Sequence, residues 1–140
     1  MSTKIRPVIS KKRTYYISKH RYYELKHFCL QYNEFRNLVF SQGRNLTKSL
    51  EYHGHKQVEF SDPTGEDVCR TEEARKNIKI IEDSAALTDE FLKDYILESV
   101  TQEHSYTYLK LIENIPCSRD HFYICYHKFF WILSQLKHAS

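Results

Sequence analysis

The sequence predicts an all-α protein, a compact helical bundle with a carboxyl-terminal helix-turn-helix and a basic amino-terminal arm. The 140 residues include only three glycines and three prolines, so long stretches lack the residues that end helices. Apolar residues recur at three- and four-residue spacing in most segments after residue 18, which is the period of an amphipathic helix. Eleven tyrosines and eight phenylalanines provide the large side chains from which a small helical protein can build a core.

The length favours one core rather than two. We predict a basic arm over residues 1–18 and a single helical domain over residues 19–140, with the helix-turn-helix at about 94–137. The four cysteines are widely spaced and form no Cys-x-x-Cys pair, which fits reduced thiols better than a disulfide framework. There is no apolar run of membrane length and no signal peptide, so we expect a cytoplasmic protein of the host cell without a membrane partner.

The first two helices are predicted directly after the arm. Ser18 is expected to cap a helix over residues 19–32 by accepting a hydrogen bond from a free backbone N–H group. Asn33 is expected to cap a shorter helix over residues 34–40 in the same way. Residues 41–63 lose the helical period and hold two of the three glycines, so we expect a connector with at most one helical turn. The positions predicted to face the core are Tyr22, Leu25, Phe28, Cys29, Phe35, Leu38 and Val39.

Two further helices follow in the middle of the chain. Asp62-Pro63-Thr64 is a start signal for a long charged helix over residues 65–87. Opposite charges three and four residues apart support it, and we interpret this helix as structural. A shorter helix is expected over residues 89–101. The inward positions predicted for the two helices are Val68, Ala74, Ile78, Ile81 and Ala85, and then Phe91, Tyr95, Ile96 and Val100.

The last third of the chain has the layout of a helix-turn-helix. Ser105 is expected to cap a helix of about ten residues, with Tyr108, Leu109 and Ile112 inward. Pro116 is expected to break that helix, and Ser118 to cap the last and longest one. The inward stripe predicted for this last helix is Phe122, Cys125, Tyr126, Phe129, Ile132, Leu133 and Leu136. In such a motif the second helix enters a DNA groove.

Base contacts in a helix-turn-helix come from the first two turns of the second helix. Residues 1–21 hold seven lysines and arginines and no acid, a distribution that suits a polyanion. The alternatives are a helical hairpin in an ordinary bundle and a solvated tail. The residues expected to contact nucleic acid are Ser118, Arg119, His121, Tyr123, His127 and Lys128 of the last helix, and Lys11, Lys12 and Arg13 of the arm.

A second stripe on the last helix is too apolar to face water alone. It consists of Tyr123, His127, Phe130 and Trp131. We expect it to pack against the amino-terminal helices or against a second copy of the chain, which makes a homodimer a possible assembly. A stacking platform for single-stranded nucleic acid is a further alternative.

One set of residues in the sequence has a regular spacing of potential metal ligands. Cys117, His121 and Cys125 recur every four residues and share one face if the helix begins early enough. Structural zinc normally takes four ligands, and no fourth lies nearby in the sequence, so we expect no metal and no cofactor. A Gly-rich phosphate loop, a nucleophile motif and paired carboxylates in an apolar context are all missing from the sequence, so we expect no enzymatic activity.

Several segments carry a resemblance to a known class of proteins. They are residues 20–32, Asp62-Pro63-Thr64, residues 75–85, Ile115-Pro116-Cys117-Ser118-Arg119, Phe122-Tyr123 and residues 129–133. Through them the chain resembles small proteins of Firmicutes prophages and conjugative elements, in the style of RinA/ArpU-type phage transcription regulators and of region 4 of sigma factors. The resemblance implies an all-helical regulator that binds promoter duplex DNA, with Arg119 starting the recognition helix.

A different class of function is also compatible with the sequence. Residues 59–103 are strongly acidic, and acidic helices can occupy a channel that normally holds nucleic acid. The alternative is therefore a phage-encoded inhibitor or adaptor that binds a host protein, such as RNA polymerase or a defence complex of the CRISPR effector type. A structural bundle that dimerises is a third interpretation.

Overall fold

The protein is all-α, as the sequence predicts. The computed structural model describes the backbone of residues 15–51 and 65–139 and the side chains of residues 15–41 and 68–138. Within these ranges no strand occurs, and no helix is long and apolar enough to cross a membrane. The helices are α1 (Lys19–Leu30), α2 (Tyr32–Glu51), α3 (Gly65–Thr88), α4 (Lys93–Gln102), α5 (Tyr106–Ile112) and α6 (Arg119–Ala139).

The chain divides into two units of packing. One comprises residues 1–31 and 80–140, and the other comprises residues 32–79, so α3 contributes to both. The predicted division into an arm and a single domain stays a prediction. Lys11, Lys12 and Arg13 of the arm and the start signal Asp62-Pro63-Thr64 lie outside the described residues.

In the first unit, α1, α4 and α6 pack against one another. An aromatic cluster lies at the centre of this packing. The Tyr22 ring lies 5.0 Å from the Phe130 ring, which is also 5.0 Å from the Tyr126 ring. The hydroxyl oxygens of Tyr22 and Tyr126 are 2.8 Å apart in the buried core. Helix α1 is therefore joined to the middle of α6 by both apolar contact and a hydrogen bond.

Polar contacts extend the same attachment along α6. Arg21 Nε donates to Ser134 Oγ at 3.1 Å, and the Lys137 ammonium lies 4.8 Å from the centre of the Phe28 ring. Trp131 packs against Tyr15, with ring centres 5.7 Å apart. Two members of the predicted second stripe, Phe130 and Trp131, thus pack within the chain, and the homodimer stays a prediction.

Helix α2 is longer than the sequence predicts. The sequence predicts that the helix ends at residue 40 and that a connector follows. This prediction is wrong for residues 41–51, because the helix continues to Glu51. It also begins before Asn33: the chain leaves α1 at Gln31, whose N–H donates to Phe28 O at 3.2 Å, and α2 starts at the next residue. Residues 32–51 contain no proline, and the single glycine at 43 costs only about 1 kcal/mol in a helix interior.

Helix α3 has the predicted bounds to within one residue, but its inward stripe differs at the start. Ala74, Ile81 and Ala85 are buried as expected, whereas Val68 is 45% exposed. Thr71 takes the inward position one turn after Val68 and is buried. A polar residue with an apolar methyl group therefore faces inward where the sequence pattern favoured a valine.

Helix α4 begins later than expected, and this reverses the role of one aromatic residue. Asp89 starts a turn rather than a helix, since its Oδ1 accepts from the backbone N–H groups of Phe91 at 2.9 Å and Leu92 at 3.1 Å. This turn leaves Phe91 91% exposed and buries Leu92. The prediction that Phe91 faces the core is wrong, because it assumed a helical phase that starts only at Lys93.

Candidate nucleic-acid interface

The end of α5 is set by Asn114, two residues before the predicted break at Pro116. Asn114 has a positive φ of 53°, and the N–H of Ile115 donates to Leu109 O at 3.1 Å. Leu109 and Ile115 are both fully buried. A left-handed residue just past the helix and a backbone bond back to its last turn close the carboxyl end of α5.

Because α5 is only seven residues long, two of its predicted core positions are wrong. Tyr108 is 39% exposed and Ile112 is 65% exposed, whereas Leu109 is buried as expected. Tyr106 takes the second inward position and contacts Phe122 of α6, with ring centres 5.6 Å apart.

Local hydrogen bonds confirm both serine caps of the predicted helix-turn-helix. Ser105 Oγ accepts from Tyr108 N at 3.3 Å, and Ser118 Oγ accepts from His121 N at 3.2 Å. The Tyr106 hydroxyl donates to the Cys117 carbonyl oxygen at 2.7 Å. The connection between α5 and α6, residues 113–118, is therefore anchored on α5 and runs directly into the capped start of α6.

Arg119, the first residue of α6, is exposed and held in a defined orientation. Its guanidinium carbon lies 5.5 Å above the centre of the Tyr106 ring. Its Nη2 donates to Thr107 Oγ1 at 3.3 Å. A cation over an aromatic face gains a modest attraction while it stays in contact with water. The guanidinium is thus placed at the surface where α5 meets α6.

The other predicted residues of α6 divide into two groups. Ser118 and His121 are exposed like Arg119, whereas Tyr123, His127 and Lys128 are half-buried. The predicted contact residues at the start of α6 are therefore more accessible than those further along it. Residues 11–13 of the arm lie outside the described part of the chain.

His121 is exposed, but it is not isolated. Its Nε2 lies 3.7 Å from Asp89 Oδ2 and 3.6 Å from Cys125 Sγ. Sequence reasoning missed Asp89, because the turn after α3 is far from α6 in the chain and only packing brings them together. Burial raises the pKa of the Cys125 thiol, and the nearby Asp89 raises it further.

A second cluster of titratable side chains joins the ends of α4 and α5. Glu98 Oε1 lies 3.0 Å from His104 Nδ1, and the His104 ring stacks on Tyr108 with centres 4.0 Å apart. A hydrogen bond with Glu98 raises the pKa of Glu113. These contacts join the carboxyl end of α5 to α4 and place two carboxyl groups there.

Apolar side chains also lie at the surface of this unit. The most exposed are Leu87 at 60%, Phe91 at 91%, Leu111 at 76%, Ile112 at 65% and Ile124 at 57%. Leu87 and Phe91 flank Asp89, and Ile124 precedes Cys125. Asp89 and Cys125 both lie near His121, so three exposed apolar residues are one or two positions along the chain from groups at the start of α6.

Comparison with known proteins gives no relative. No protein-family model, no curated protein and no solved structure matches the chain. The resemblance to prophage regulators stays a prediction that depends on the residues quoted for it.

Proposed function

We propose that the protein is a DNA-binding transcription regulator of a phage or mobile element. It binds duplex DNA with the start of α6, helped by the basic arm. The observation that supports this proposal is the two-sided character of α6: Phe122 and Phe129 are fully buried, whereas Arg119 and His121 are exposed. A helix anchored on one face that presents polar side chains from its first turn has the arrangement used for groove contacts.

The charges at the start of α6 oppose one another. Arg119 suits a guanine edge or a phosphate, and the backbone N–H groups of a helix amino terminus favour an anion. Asp120, also exposed, repels a phosphate backbone. The neighbouring residues 119 and 120 are therefore expected to change DNA affinity in opposite directions when each is neutralised.

The proposal is tested with Arg119→Ala and Asp120→Asn. Binding is measured by fluorescence anisotropy on two DNAs. One is a pool of duplexes of mixed sequence, and the other is a single duplex selected from that pool for tight binding. Arg119→Ala is expected to cost about 1–3 kcal/mol of binding to the enriched duplex if the guanidinium reads a base, and Asp120→Asn is expected to strengthen binding. Arg75→Ala is the matched control, because Arg75 is an exposed cation of α3 that pairs with Glu72 at 3.6 Å.

The arm is tested by changing Lys11, Lys12 and Arg13 together to alanine. This variant is expected to bind all duplexes more weakly. The slope of log affinity against log salt is negative, and its magnitude is expected to fall by roughly 3, one unit for each lost phosphate contact. Absence of any salt-sensitive affinity of the unmodified chain for duplex DNA would falsify the proposal.

The exposed apolar side chains favour a second candidate, an inhibitor or adaptor that binds a host protein such as RNA polymerase or a CRISPR effector. Apolar groups at a surface are typical of contacts with other proteins. A pull-down from host lysate is repeated after nuclease treatment and with Phe91→Ser. A partner kept after nuclease and lost with Phe91→Ser favours the adaptor. A partner lost after nuclease favours the regulator.

A further inference from the structure

Three possible metal ligands from different places in the chain converge beside the start of α6. Ligand atoms of Asp89, His121 and Cys125 all lie within 4.8 Å of one another. Asp89 belongs to the turn between α3 and α4, and His121 and Cys125 lie one turn apart on α6. The sequence shows the histidine and the cysteine, but only the packing adds the carboxylate.

Two of the three separations are close to those of a zinc site. Zinc binds cysteine sulfur at about 2.3 Å and histidine nitrogen or carboxylate oxygen at about 2.0–2.2 Å, so tetrahedral angles place nitrogen and sulfur about 3.6 Å apart and nitrogen and oxygen about 3.4 Å apart. In this protein His121 Nε2 lies 3.6 Å from Cys125 Sγ and 3.7 Å from Asp89 Oδ2. A shift of about 0.3 Å brings the nitrogen–oxygen separation to the tetrahedral value. The third pair, Asp89 and Cys125, lies within 4.8 Å, so metal binding draws the turn after α3 towards α6.

The ligands are also held in place by their surroundings. Asp89 Oδ1 accepts from Phe91 N and Leu92 N, which orients Oδ2 towards His121. The Ser118 cap fixes the backbone at His121, and Cys125 is only 4% exposed. Hydrogen bonds that orient a ligand before metal arrives are typical of metal sites in proteins.

Three protein ligands leave the fourth position of a tetrahedral site for water. Cys117, half-buried in the connection between α5 and α6, does not belong to the converging group.

We propose that Asp89, His121 and Cys125 bind a divalent transition-metal ion, for which zinc is the best fit. The mixture of imidazole, thiolate and carboxylate favours zinc over magnesium or calcium, which prefer oxygen alone. On binding, the Cys125 thiol releases its proton to solvent and the sulfur bonds to the metal. The ion joins the turn after α3 to the start of α6. This site goes beyond the proposed DNA binding and does not depend on it.

Cobalt(II) is the probe, because tetrahedral thiolate sites give it visible d–d absorption and a near-ultraviolet sulfur-to-cobalt band. The full chain is reduced, treated with chelator and titrated with Co²⁺ and then Zn²⁺. We expect one tightly bound Co²⁺ per chain, with both absorption features, and their loss when Zn²⁺ displaces it. Failure of the unmodified chain to give this spectrum would overturn the proposal.

Matched variants assign the spectrum to the cluster. Cys125→Ser is expected to lose the sulfur-to-cobalt band, whereas Cys69→Ser, which removes an exposed cysteine of α3, is expected to keep it. Asp89→Ser keeps a residue suited to capping the turn and is expected to weaken Co²⁺ binding at least about tenfold. An unchanged sulfur-to-cobalt band in Cys125→Ser contradicts the proposal.

A second measurement covers the case in which Cys125→Ser does not fold. Circular dichroism without metal checks the fold of each variant. Zn²⁺ is expected to raise the melting temperature of the unmodified chain and of Cys69→Ser, because it binds the folded state. It is expected to raise the melting temperature of Asp89→Ser by clearly less, because that variant binds the metal more weakly. Equal zinc stabilisation of Asp89→Ser and the unmodified chain refutes the site without reference to DNA.

Discussion

The buried hydroxyl pair of Tyr22 and Tyr126 provides a direct test of how α1 holds α6. The two oxygens are 2.8 Å apart, and the residues are only 1% and 4% exposed. Tyr22→Phe removes the hydroxyl to which Tyr126 bonds but keeps the ring that packs on Phe130 at 5.0 Å. The change therefore removes a hydrogen bond without creating a large cavity.

The expected loss follows from this geometry. A buried polar group that loses its partner costs about 1–3 kcal/mol, so we expect Tyr22→Phe to lower the free energy of unfolding by about that amount. For a chain of this size the loss corresponds to roughly 3–5 °C in melting temperature for each kcal/mol. Removing both hydroxyls with Tyr22→Phe and Tyr126→Phe is expected to cost less than the sum of the single changes, because neither buried hydroxyl remains.

Urea unfolding followed by circular dichroism measures all four proteins of this double-mutant cycle. If the stability of Tyr22→Phe lies within about 0.5 kcal/mol of the unmodified chain, the range of an ordinary surface substitution, the hydroxyl pair does not stabilise the fold. If the two changes are simply additive, the hydroxyls do not interact.

The same pair predicts a dependence on alkaline pH. In the folded state, burial raises the pKa of Tyr22 and of Tyr126. In the unfolded chain, tyrosine has a pKa of about 10. Above that pH the folded state holds more protons than the unfolded state, so this contribution to stability is present below about pH 10 and is lost as the pH rises beyond it. The unmodified chain is expected to lose stability more steeply there than the double phenylalanine variant.

Two further predictions concern the end of α5 and the cysteines. Asn114→Ala is expected to destabilise the protein by about 1 kcal/mol, because alanine has a Cβ that disfavours a positive φ and lacks the polar side chain with which asparagine offsets this cost. Asn114→Gly is expected to be neutral or stabilising, because glycine adopts a positive φ freely. Thermal melts compare the two, and equal losses contradict the left-handed helix end. In native alkylation read by mass spectrometry, exposed Cys69 is expected to react quickly. Cys29 is expected to react only on unfolding, because it is fully buried and burial raises its pKa; equal native rates refute this.

The sequence by itself determined where most helices begin and which face of α6 is buried. Ser18, Ser105 and Ser118 were predicted as caps, and each accepts a backbone hydrogen bond from three residues on. These features are readable because their partners lie within one helical turn. The buried stripe of α6 was readable because it repeats over many turns, so the helical phase is defined.

Only part of the candidate site could be predicted from the sequence. Sequence reasoning placed Arg119 and His121 at the start of α6, where both are exposed. Whether they contact DNA stays a prediction. The family resemblance and the functions named for the chain also stay predictions, since they concern partners and not the fold.

Tertiary structure alone decided which side of the short elements faces inward and which distant residues meet. Phe91 and Leu92 are both apolar, and the Asp89 turn selects Leu92 for the core. A seven-residue helix such as α5 spans about two turns, too few to define a face by periodicity. The approach of Asp89 to His121 depends on how α3, α4 and α6 pack. Local sequence patterns record contacts within a few residues, whereas this pairing is fixed by the burial of side chains that lie far apart in the chain.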